Sequence, residues 1–350
     1  MNVWIDVAHM PQYNFYKPLI MMLTEKGHQV YITILDRGRL VKIMQHELAD
    51  MPNVHLYVVG KHRMKKISAI IDANLIRMLK LLFWIPGKHI DVAISNNLFT
   101  PILGWLFRIP NYAFGDDPQV IDYKPKIWFS NQSHYCIFEQ PENMVLSPKI
   151  KVLRCTKEWA YLNPRTFRPD RRALEQYGVK EKEYMFLREV SVGTINYTGQ
   201  ESGAILGIKD MIPKGMKVLL SLEEKKRRSE YPEDWILLQE PIEDIHSLIY
   251  YSAGLVSSGD SMAREAALLG VPSYYLGIRY SMPANAAASK VASLQNRQTM
   301  DFSEWIASLP TDVKECEKRQ VELRKHIDSE FIDINEYMLS LVESVEKKAK

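Results

Sequence analysis

The segment of residues 255–272, LVSSGDSMAREAALLGVP, constrains the fold of this chain more than any other. Its apolar start predicts a buried strand, its small residues predict a tight turn, and the glycine at position 270 ends the helix that follows. Strand–turn–helix units of this kind are typical of α/β proteins. Because the first turn of a helix presents free N–H groups and the positive end of its dipole, this turn is a candidate anion site.

The candidate ligands of a nucleoside diphosphate lie in this turn. We assign phosphate contacts to Ser258, Gly259, Asp260 and Ser261, and a ribose contact to Glu265, which lies about one helical turn further on. A plainer interpretation stays open, in which Asp260 or Ser261 only caps the helix and Glu265 is a solvated helix residue.

Strand and helix patterns alternate along the rest of the chain. This alternation predicts an α/β fold with a parallel, doubly wound sheet, and its repetition predicts two Rossmann-like domains facing a central cleft. We place the first domain at residues 1–160, the second at 161–330 and a C-terminal helix at 331–350. The pattern from residue 312 to the end predicts one long amphipathic helix.

The composition is that of an ordinary soluble globular protein of 350 residues. A net charge of +3 is too small to indicate nucleic-acid binding. The 3 cysteines follow no metal-ligand spacing, so we expect reduced thiols in a cytoplasmic protein. The adjacent Asp116 and Asp117 do not form a metal-holding Asp-x-Asp pattern, so we expect no bound metal. No apolar run reaches the ~20 residues that a membrane-spanning helix needs.

Polar residues follow two predicted strands of the first domain. His9 is a candidate general base, with Asp6 setting its tautomer, because an imidazole titrates near neutral pH. Asp116 and Asp117 are candidates for deprotonating a hydroxyl group. The carboxyl ends of parallel strands line the ligand crevice, so we expect these side chains to lie there. Alternatively, His9 is an ordinary loop histidine, and Asp116 and Asp117 belong to a solvated acidic turn.

Two further polar groups end predicted strands. Arg188 ends the first strand of the second domain, where we expect it to bind a phosphate, the alternative being an ion pair with a nearby carboxylate. Asn96 and Asn97 end a strand of the first domain and are candidate substrate ligands. Amides cannot act as acids or bases at neutral pH.

Several segments resemble domain-of-unknown-function family 354, an uncharacterised family of archaeal and bacterial proteins. They are Val3–Asp6, Pro11–Gln12, Phe15, Lys17–Leu19, Lys157–Leu162, Phe167–Asp170, Leu187–Glu189 and Met262–Gly270. The last of these is also similar to the donor motif of glycosyltransferases of the two-Rossmann (GT-B) type and of non-hydrolysing UDP-GlcNAc 2-epimerases. In those proteins a Ser/Gly turn holds the diphosphate and a glutamate holds the ribose.

The resemblance implies a GT-B-like fold whose last helix crosses back to the first domain. It also implies a metal-independent glycosyltransferase of surface-polysaccharide or glycolipid assembly. Its second domain would hold a nucleotide sugar as substrate, with no separate cofactor, and its first domain would hold a saccharide or lipid-linked acceptor. Two alternatives stay open: a nucleotide-sugar 2-epimerase or hydrolase, and a non-catalytic nucleotide-sugar-binding protein.

This chain differs at two places from the proteins that it resembles, and both differences bear on the choice between these functions. The epimerases carry acidic residues at the ends of two strands, whereas this chain has Asn96 and Asn97 at the first and keeps Asp116 and Asp117 at the second. This difference counts against epimerisation. Asp260 replaces a small residue in the phosphate turn, so that it either caps its helix or weakens the phosphate site.

A basic and apolar stretch spans residues 61–88. Its seven lysines and arginines and its apolar side chains predict either a helix that lies on an anionic membrane surface or a core-facing helix with a solvated basic face. The first interpretation would place the protein at the inner face of the membrane, beside a lipid-linked acceptor.

Overall fold

The computed structural model describes the whole chain except residues 62–75, 119–122, 143, 145–146, 194–196, 198, 240–241, 243, 311 and 350. The chain divides into two compact units. Unit 1 is Met1–Tyr161 together with Ile332–Lys350, and unit 2 is Leu162–Phe331. No helix in the described ranges is long and apolar enough to cross a lipid bilayer.

Unit 1 is built on parallel strands. They are β1 (Asn2–Val7), β2 (Gln29–Asp36), β3 (Val54–Lys61), β4 (Val92–Ser95), β5 (Asn111–Gly115), β6 (Gln132–Cys136) and β7 (Ile150–Leu153). In the described part of this unit they form one sheet in the order β3-β2-β1-β4-β5-β6-β7. The helices described before residue 159 are α1 (Met10–Glu25), α2 (Arg39–Glu47), α3 (Arg77–Trp84), α4 (Phe99–Leu106) and α5 (Tyr123–Phe129), with a 3-10 helix at Ile85–Lys88.

Unit 2 follows the short helix α6 (Trp159–Leu162) and repeats this architecture. Its strands are β8 (Tyr184–Glu189), β9 (Lys217–Leu222), β10 (Ile236–Leu237), β11 (Gly254–Ser257), β12 (Ser273–Tyr275) and β13 (Leu294–Asn296), in the order β10-β9-β8-β11-β12-β13. Among the described residues of this unit, the helices are α7 (Arg172–Glu175), α8 (Ile245–Tyr250), α9 (Asp260–Leu268), α10 (Pro283–Val291), α11 (Phe302–Ala307) and α12 (Val313–Glu330), with 3-10 helices at Leu206–Met211 and Lys225–Glu230. The chain ends in α13 (Ile334–Ala349), which belongs to unit 1.

The strand order reverses at one point in each sheet. In unit 1 the order runs outward from β1 on one side and from β4 on the other, and in unit 2 β8 and β11 have the same relation. Ligands of such sheets bind outside the carboxyl ends of the strands at this switch point. The carboxyl ends of β1, β4, β8 and β11 are therefore the places to search for a site.

The strands have the apolar sequences that parallel sheets require. Helices cover both faces of such sheets, so their strands are near-continuous hydrophobic runs. In β1 the side chains of Val3, Trp4 and Ile5 are fully buried, and in β8 those of Phe186 and Leu187 are fully buried. The α/β class with two doubly wound parallel sheets, predicted from the alternation of patterns, is confirmed.

The prediction of one long helix from residue 312 onward is wrong. α12 ends at Glu330 and α13 starts at Ile334, and Phe331 adopts an extended conformation between them. Asp333 begins the second helix, because its carboxylate accepts hydrogen bonds from the backbone N–H groups of Asn335 at 3.0 Å and Glu336 at 3.2 Å. Capping by an aspartate stabilises a helix start and so favours two helices over one.

The final helix α13 contacts α1 within unit 1. An exposed ion pair of 2.7 Å joins Lys26, just after α1, to Glu343 on α13. The helix predicted within residues 61–88 lies partly outside the described residues, whereas its later part is observed as α3.

Gly270 ends α9 in a conformation that suits glycine alone. Its φ is +75°, and its N–H donates to the carbonyl of Ala267 at 2.9 Å. A Cβ atom added at this position would lie 2.7 Å from the carbonyl oxygen of Gln320 on α12. The residue therefore meets two constraints, a left-handed backbone and a close approach of a neighbouring helix.

We predict that Gly270→Ala lowers the free energy of unfolding by about 2–4 kcal/mol, because the strain of a left-handed alanine adds to that of overpacking. Gly215 is the matched control in the same unit, since its φ is +84° but a Cβ there would meet no atom within 4 Å. Gly215→Ala is expected to lose only about 1 kcal/mol, the backbone part. Urea denaturation measures both; equal losses would show that the contact with Gln320 costs nothing.

Candidate functional site

The turn between β11 and α9 lies at the switch point of the unit 2 sheet. β11 pairs with β8 on one side and with β12 on the other. Ser257 is the last residue of β11, and Asp260 is the first residue of α9, with Gly259 as its N-cap. Strand, turn and helix thus occur where the sequence predicts them.

The serine hydroxyls of the turn are used within the protein. The hydroxyl of Ser257 accepts from the N–H of Gly259 at 3.0 Å and donates to its carbonyl at 2.7 Å. The hydroxyl of Ser258 accepts from the N–H of Val190, just after β8, at 2.9 Å. Gln200 donates from Nε2 to the carbonyl of Ser258 at 2.9 Å. These bonds fix the turn against the segment that follows β8, and of the four predicted phosphate ligands only Ser261 is exposed.

A glycine is needed at position 259 because a side chain would not fit there, and not because of the backbone angles of this residue. Its φ of −106° is available to any residue. However, a Cβ atom here would lie 2.5 Å from Cγ1 of Val190 and 3.2 Å from the hydroxyl of Tyr197. The absence of a side chain lets the segment after β8 lie directly on the turn.

The sequence suggested that Asp260 either caps its helix or places an uncompensated negative charge in the phosphate turn. The structure shows neither arrangement. No side chain caps α9. Oδ2 of Asp260 accepts from Nη1 of Arg264 at 2.9 Å and from Nη1 of Arg279 at 3.4 Å, and Oδ1 accepts from the hydroxyl of Tyr197 at 3.2 Å. Burial alone raises the pKa of this carboxyl, but Arg264 and Arg279 outweigh burial and hold the pKa below its ordinary value.

Glu265 lies on the next turn of α9, as predicted. Its side chain is 13% exposed, and its Oε1 lies 3.6 Å from Nε2 of His246 on α8. A partly buried carboxylate that remains accessible can accept a hydroxyl hydrogen bond from a ligand.

Arg188, at the end of β8, is held by protein groups. Its Nη1 donates to the hydroxyl of Ser221 at 2.7 Å, and its Nη2 donates to Oε1 of Glu223 at 2.5 Å. The other oxygen of Glu223 accepts from the N–H of Ser191 at 2.8 Å. The arrangement matches the alternative interpretation of this residue, an ion pair with a nearby carboxylate.

In unit 1, the expectation that Asp6 orients His9 is wrong. Asp6 is fully buried, and its Oδ1 accepts from the hydroxyl of Thr33 and from Nη2 of Arg77, both at 2.5 Å. Its Oδ2 accepts from Nδ2 of Asn97 at 2.7 Å. Asp6 on β1 thus binds residues of β2, of α3 and of the segment after β4, and both of its oxygens are engaged by groups other than the imidazole.

His9 is the N-cap residue of α1 and is mostly buried. Its Nδ1 has no hydrogen-bond partner among the residues that the structure describes. Burial, helped by the positive charges of Lys157 and Arg37, lowers the pKa of His9 to about 4. The imidazole is therefore neutral at pH 7.

Asp116, just after β5, forms an ion pair of 2.7 Å with Lys157. Both groups act on the charge of His9, Asp116 favouring the protonated imidazole and Lys157 disfavouring it. The structure thus brings His9 and Asp116 into one electrostatic cluster and adds Lys157, which the sequence did not single out as a site residue. Lys157 does open one of the segments that resemble family 354, and this was the only signal for it.

The two predicted amide ligands differ. Asn97 is fully engaged, since its Oδ1 accepts from Gln12 at 3.1 Å and its Nδ2 donates to Asp6. Asn96 is buried, and its Oδ1 has no hydrogen-bond partner in the described part of the chain. An unsatisfied buried amide oxygen is costly, which makes Asn96 the better candidate for a ligand contact.

The basic segment of residues 61–88 lies largely outside the described residues. Of its cations, Arg77 is not part of a solvated face, because it is 2% exposed and paired with Asp6. On α3 the side chain of Phe83 is 82% exposed and that of Leu79 is 46% exposed.

A cavity of about 250 Å³ lies at the amino ends of the unit 2 strands, away from the turn. Lys182 on its wall donates to the carbonyls of Tyr250 and Ser252 and to Oε1 of Gln320, at 2.7, 3.1 and 2.8 Å. Burial lowers the pKa of Lys182 to about 8. All three of its N–H donors have acceptors within the protein, so the cavity offers no free cation from this lysine.

Comparison with known proteins supports the sequence resemblance in the first third of the chain. Residues 1–115 match the model of a family described as "Protein of unknown function (DUF354)", and the segments quoted above beyond residue 115 lie outside this match. No curated protein sequence matches the chain.

Solved structures match almost the whole chain. Spinosyn forosaminyltransferase SpnP has a TM-score of 0.67 at 12% identity, with 99% of each chain covered. A putative UDP-N-acetylglucosamine 2-epimerase from Listeria monocytogenes has a TM-score of 0.68 at 13% identity, covering 99% of this chain and 97% of that one. Spinosyn rhamnosyltransferase SpnG, complexed with thymidine diphosphate, has a TM-score of 0.62 at 13% identity, covering 99% and 100%. The chain therefore has the GT-B-like α/β fold that these glycosyltransferases and epimerases share.

Proposed function

We propose that the chain is a nucleotide-sugar-dependent glycosyltransferase whose unit 2 binds the donor. The observation that carries this proposal is the β11–α9 turn at the sheet's switch point, with Glu265 accessible one helical turn further on. A structural neighbour is described as complexed with thymidine diphosphate, and another, from Neisseria meningitidis, as bound to UDP-GlcNAc. We infer a nucleotide sugar as the substrate class of this chain.

In this proposal the donor's diphosphate meets the start of α9 and its ribose meets Glu265. The N–H groups of the first helical turn and the exposed Ser261 supply neutral hydrogen-bond donors. Glu265 accepts from the ribose hydroxyls. Fixed dipoles at this position stabilise the diphosphate that leaves when the glycosidic bond forms.

The acceptor hydroxyl is deprotonated in unit 1. A base takes its proton, the oxygen attacks the anomeric carbon, and the nucleoside diphosphate leaves with the electron pair of the broken bond. Asp116, Asp117 and His9 are the candidates. Asp116 is paired with Lys157, whereas His9 is neutral at pH 7 and has a ring nitrogen that can accept a proton.

We further propose a saccharide or lipid-linked acceptor from surface-polysaccharide or glycolipid assembly at the inner face of a membrane. The exposed Phe83 and Leu79 support an apolar acceptor or a bilayer near α3. Contact of residues 61–88 with a membrane stays a prediction, since most of that segment lies outside the described residues.

The second candidate is a nucleotide-sugar 2-epimerase. Two structural neighbours are described as UDP-GlcNAc 2-epimerases, one of them as putative. A 2-epimerase removes and returns a proton at the second carbon of the sugar, for which it needs acidic side chains. Asn96 and Asn97 stand where one such acid is expected, and this favours transfer.

The donor site is tested by Glu265→Ala, which should weaken binding of a nucleoside diphosphate by about 1.5–3 kcal/mol through the loss of a charge-assisted hydrogen bond. Isothermal titration with UDP, dTDP and GDP identifies the best ligand for the wild type and measures the variant. Glu322→Ala, at an exposed glutamate of the same unit, is the control and should leave the affinity unchanged. Equal affinity in wild type and Glu265→Ala would exclude the assigned ribose contact.

Transfer is distinguished from epimerisation by solvent exchange. We expect no deuterium at the second carbon of the sugar when the protein is incubated with its sugar nucleotide in deuterated water, because transfer breaks no C–H bond. Proton NMR follows the signal at that carbon. Its exchange at a rate comparable to turnover would establish the epimerase and overturn the transferase.

The protonation state of His9 predicts that the free energy of unfolding depends on pH. Its pKa is about 4 in the folded chain and near 6.5 in the unfolded one, so the unfolded state binds more protons between these values. Stability should fall as the pH drops from 6.5 to 4, by up to about 3 kcal/mol from this residue. His9→Gln should remove that part of the slope in urea titrations, whereas the same change at the exposed His326 should not. An unaltered slope in His9→Gln would contradict the burial of a neutral imidazole.

A further inference from the structure

Three charged groups meet at the first turn of α9. The carboxylate of Asp260 accepts hydrogen bonds from both Arg264 and Arg279, so this group of three carries one net positive charge. Asp260 is 2% exposed and Arg264 is 3% exposed, whereas the side chain of Arg279 is 25% exposed. The surplus positive charge is therefore accessible at Arg279.

The backbone of Arg279 is fixed on both sides. Its N–H donates to the hydroxyl of Tyr275 at 3.1 Å, and its carbonyl accepts from Nδ2 of Asn285 at 2.6 Å. Asn285 is held in turn by Nη1 of Arg264 at 2.5 Å. The loop from β12 to α10 is thus built around the same charges that surround Asp260. A cation held in place before its ligand arrives loses less conformational entropy on binding.

The guanidinium of Arg279 has unused donors. Its one side-chain hydrogen bond to a described residue is the 3.4 Å contact from Nη1 to Asp260, although a guanidinium carries five N–H donors. Arg188, the cation that the sequence suggested for phosphate, already binds Ser221 and Glu223 at 2.7 and 2.5 Å. A guanidinium with free N–H groups forms paired hydrogen bonds to phosphate oxygens.

Building on the proposed donor site, we infer that Arg279 binds the diphosphate of the nucleotide and that Asp260 positions Arg279 for this contact. The sequence alone suggests that Asp260 repels phosphate. In this inference Asp260 instead favours phosphate binding, because it orients Arg279. Its charge is balanced by Arg264 and Arg279, and its second oxygen is occupied by Tyr197.

Binding of UDP and dTDP to the full-length protein, measured by isothermal titration, tests the inference. Arg279→Gln should weaken the affinity at least about tenfold, because a charge-assisted contact is lost, and Arg279→Lys should fall between this variant and the wild type. Arg297→Gln, at an exposed arginine of the same unit, is the matched control and should bind as the wild type does. Thermal unfolding of each variant shows that it is folded.

The variant Asp260→Asn tests whether Asp260 positions Arg279 or repels the diphosphate, because these two roles predict opposite changes in the affinity for the diphosphate. If Asp260 positions Arg279, the amide should weaken diphosphate binding by about threefold or more, since it removes the charge that orients the guanidinium. Tighter binding by Asp260→Asn would show repulsion and overturn the assignment.

The failure of the donor site and the failure of this inference give different results. If the wild type binds neither diphosphate, the proposed donor site fails and Arg279 loses its assigned ligand. If the wild type binds one of them and Arg279→Gln binds it within about twofold, the donor site stands and Arg279 is not its ligand. Loss of affinity in Arg188→Gln together with unchanged affinity in Arg279→Gln would assign the contact to Arg188.

Discussion

The buried carboxylate of Asp260 is the constraint on which the donor region of unit 2 depends. A buried charge without a partner costs several kcal/mol, so its surroundings must supply hydrogen bonds and opposite charge. Arg264 supplies both from the same helix and Arg279 supplies both from the loop after β12, whereas Tyr197 supplies a hydrogen bond from the segment after β8. One charge on α9 is thereby hydrogen-bonded to groups from both neighbouring segments.

Unit 1 also buries a charged carboxylate near the switch point of its sheet. Asp6 lies near the carboxyl end of β1 and is neutralised by Arg77, with Thr33 and Asn97 completing its hydrogen bonds. This aspartate joins β1, β2 and the start of α3, and it is consequently structural and not catalytic. The candidates for chemistry in unit 1 are His9, kept neutral by burial and by nearby cations, Asp116, which is paired with Lys157, and Asp117.

The sequence predicted the fold well because the relevant signals are local. Buried parallel strands are apolar runs with glycine and small residues at their ends, and the segment of residues 255–272 showed strand, turn and helix in that order. The partners of the charged residues could not be predicted, since Asp6 and Arg77 are 71 residues apart and Arg188 and Glu223 are 35 apart. Arg279 was missed for the same reason: only the folded loop brings its guanidinium to Asp260. The break before α13 depends on capping by Asp333, a local signal that the continuous amphipathic pattern concealed.

The central claim is that the β11–α9 turn of unit 2 binds a nucleoside diphosphate. A crystal structure of the full-length chain with UDP or dTDP tests it most directly, because it places the ligand against named atoms. The account predicts the diphosphate within hydrogen-bond distance of the Arg279 guanidinium and of the first N–H groups of α9, with a ribose hydroxyl at the carboxylate of Glu265. A nucleotide bound elsewhere, or a diphosphate at this turn with its charge on Arg188 and not on Arg279, would contradict it.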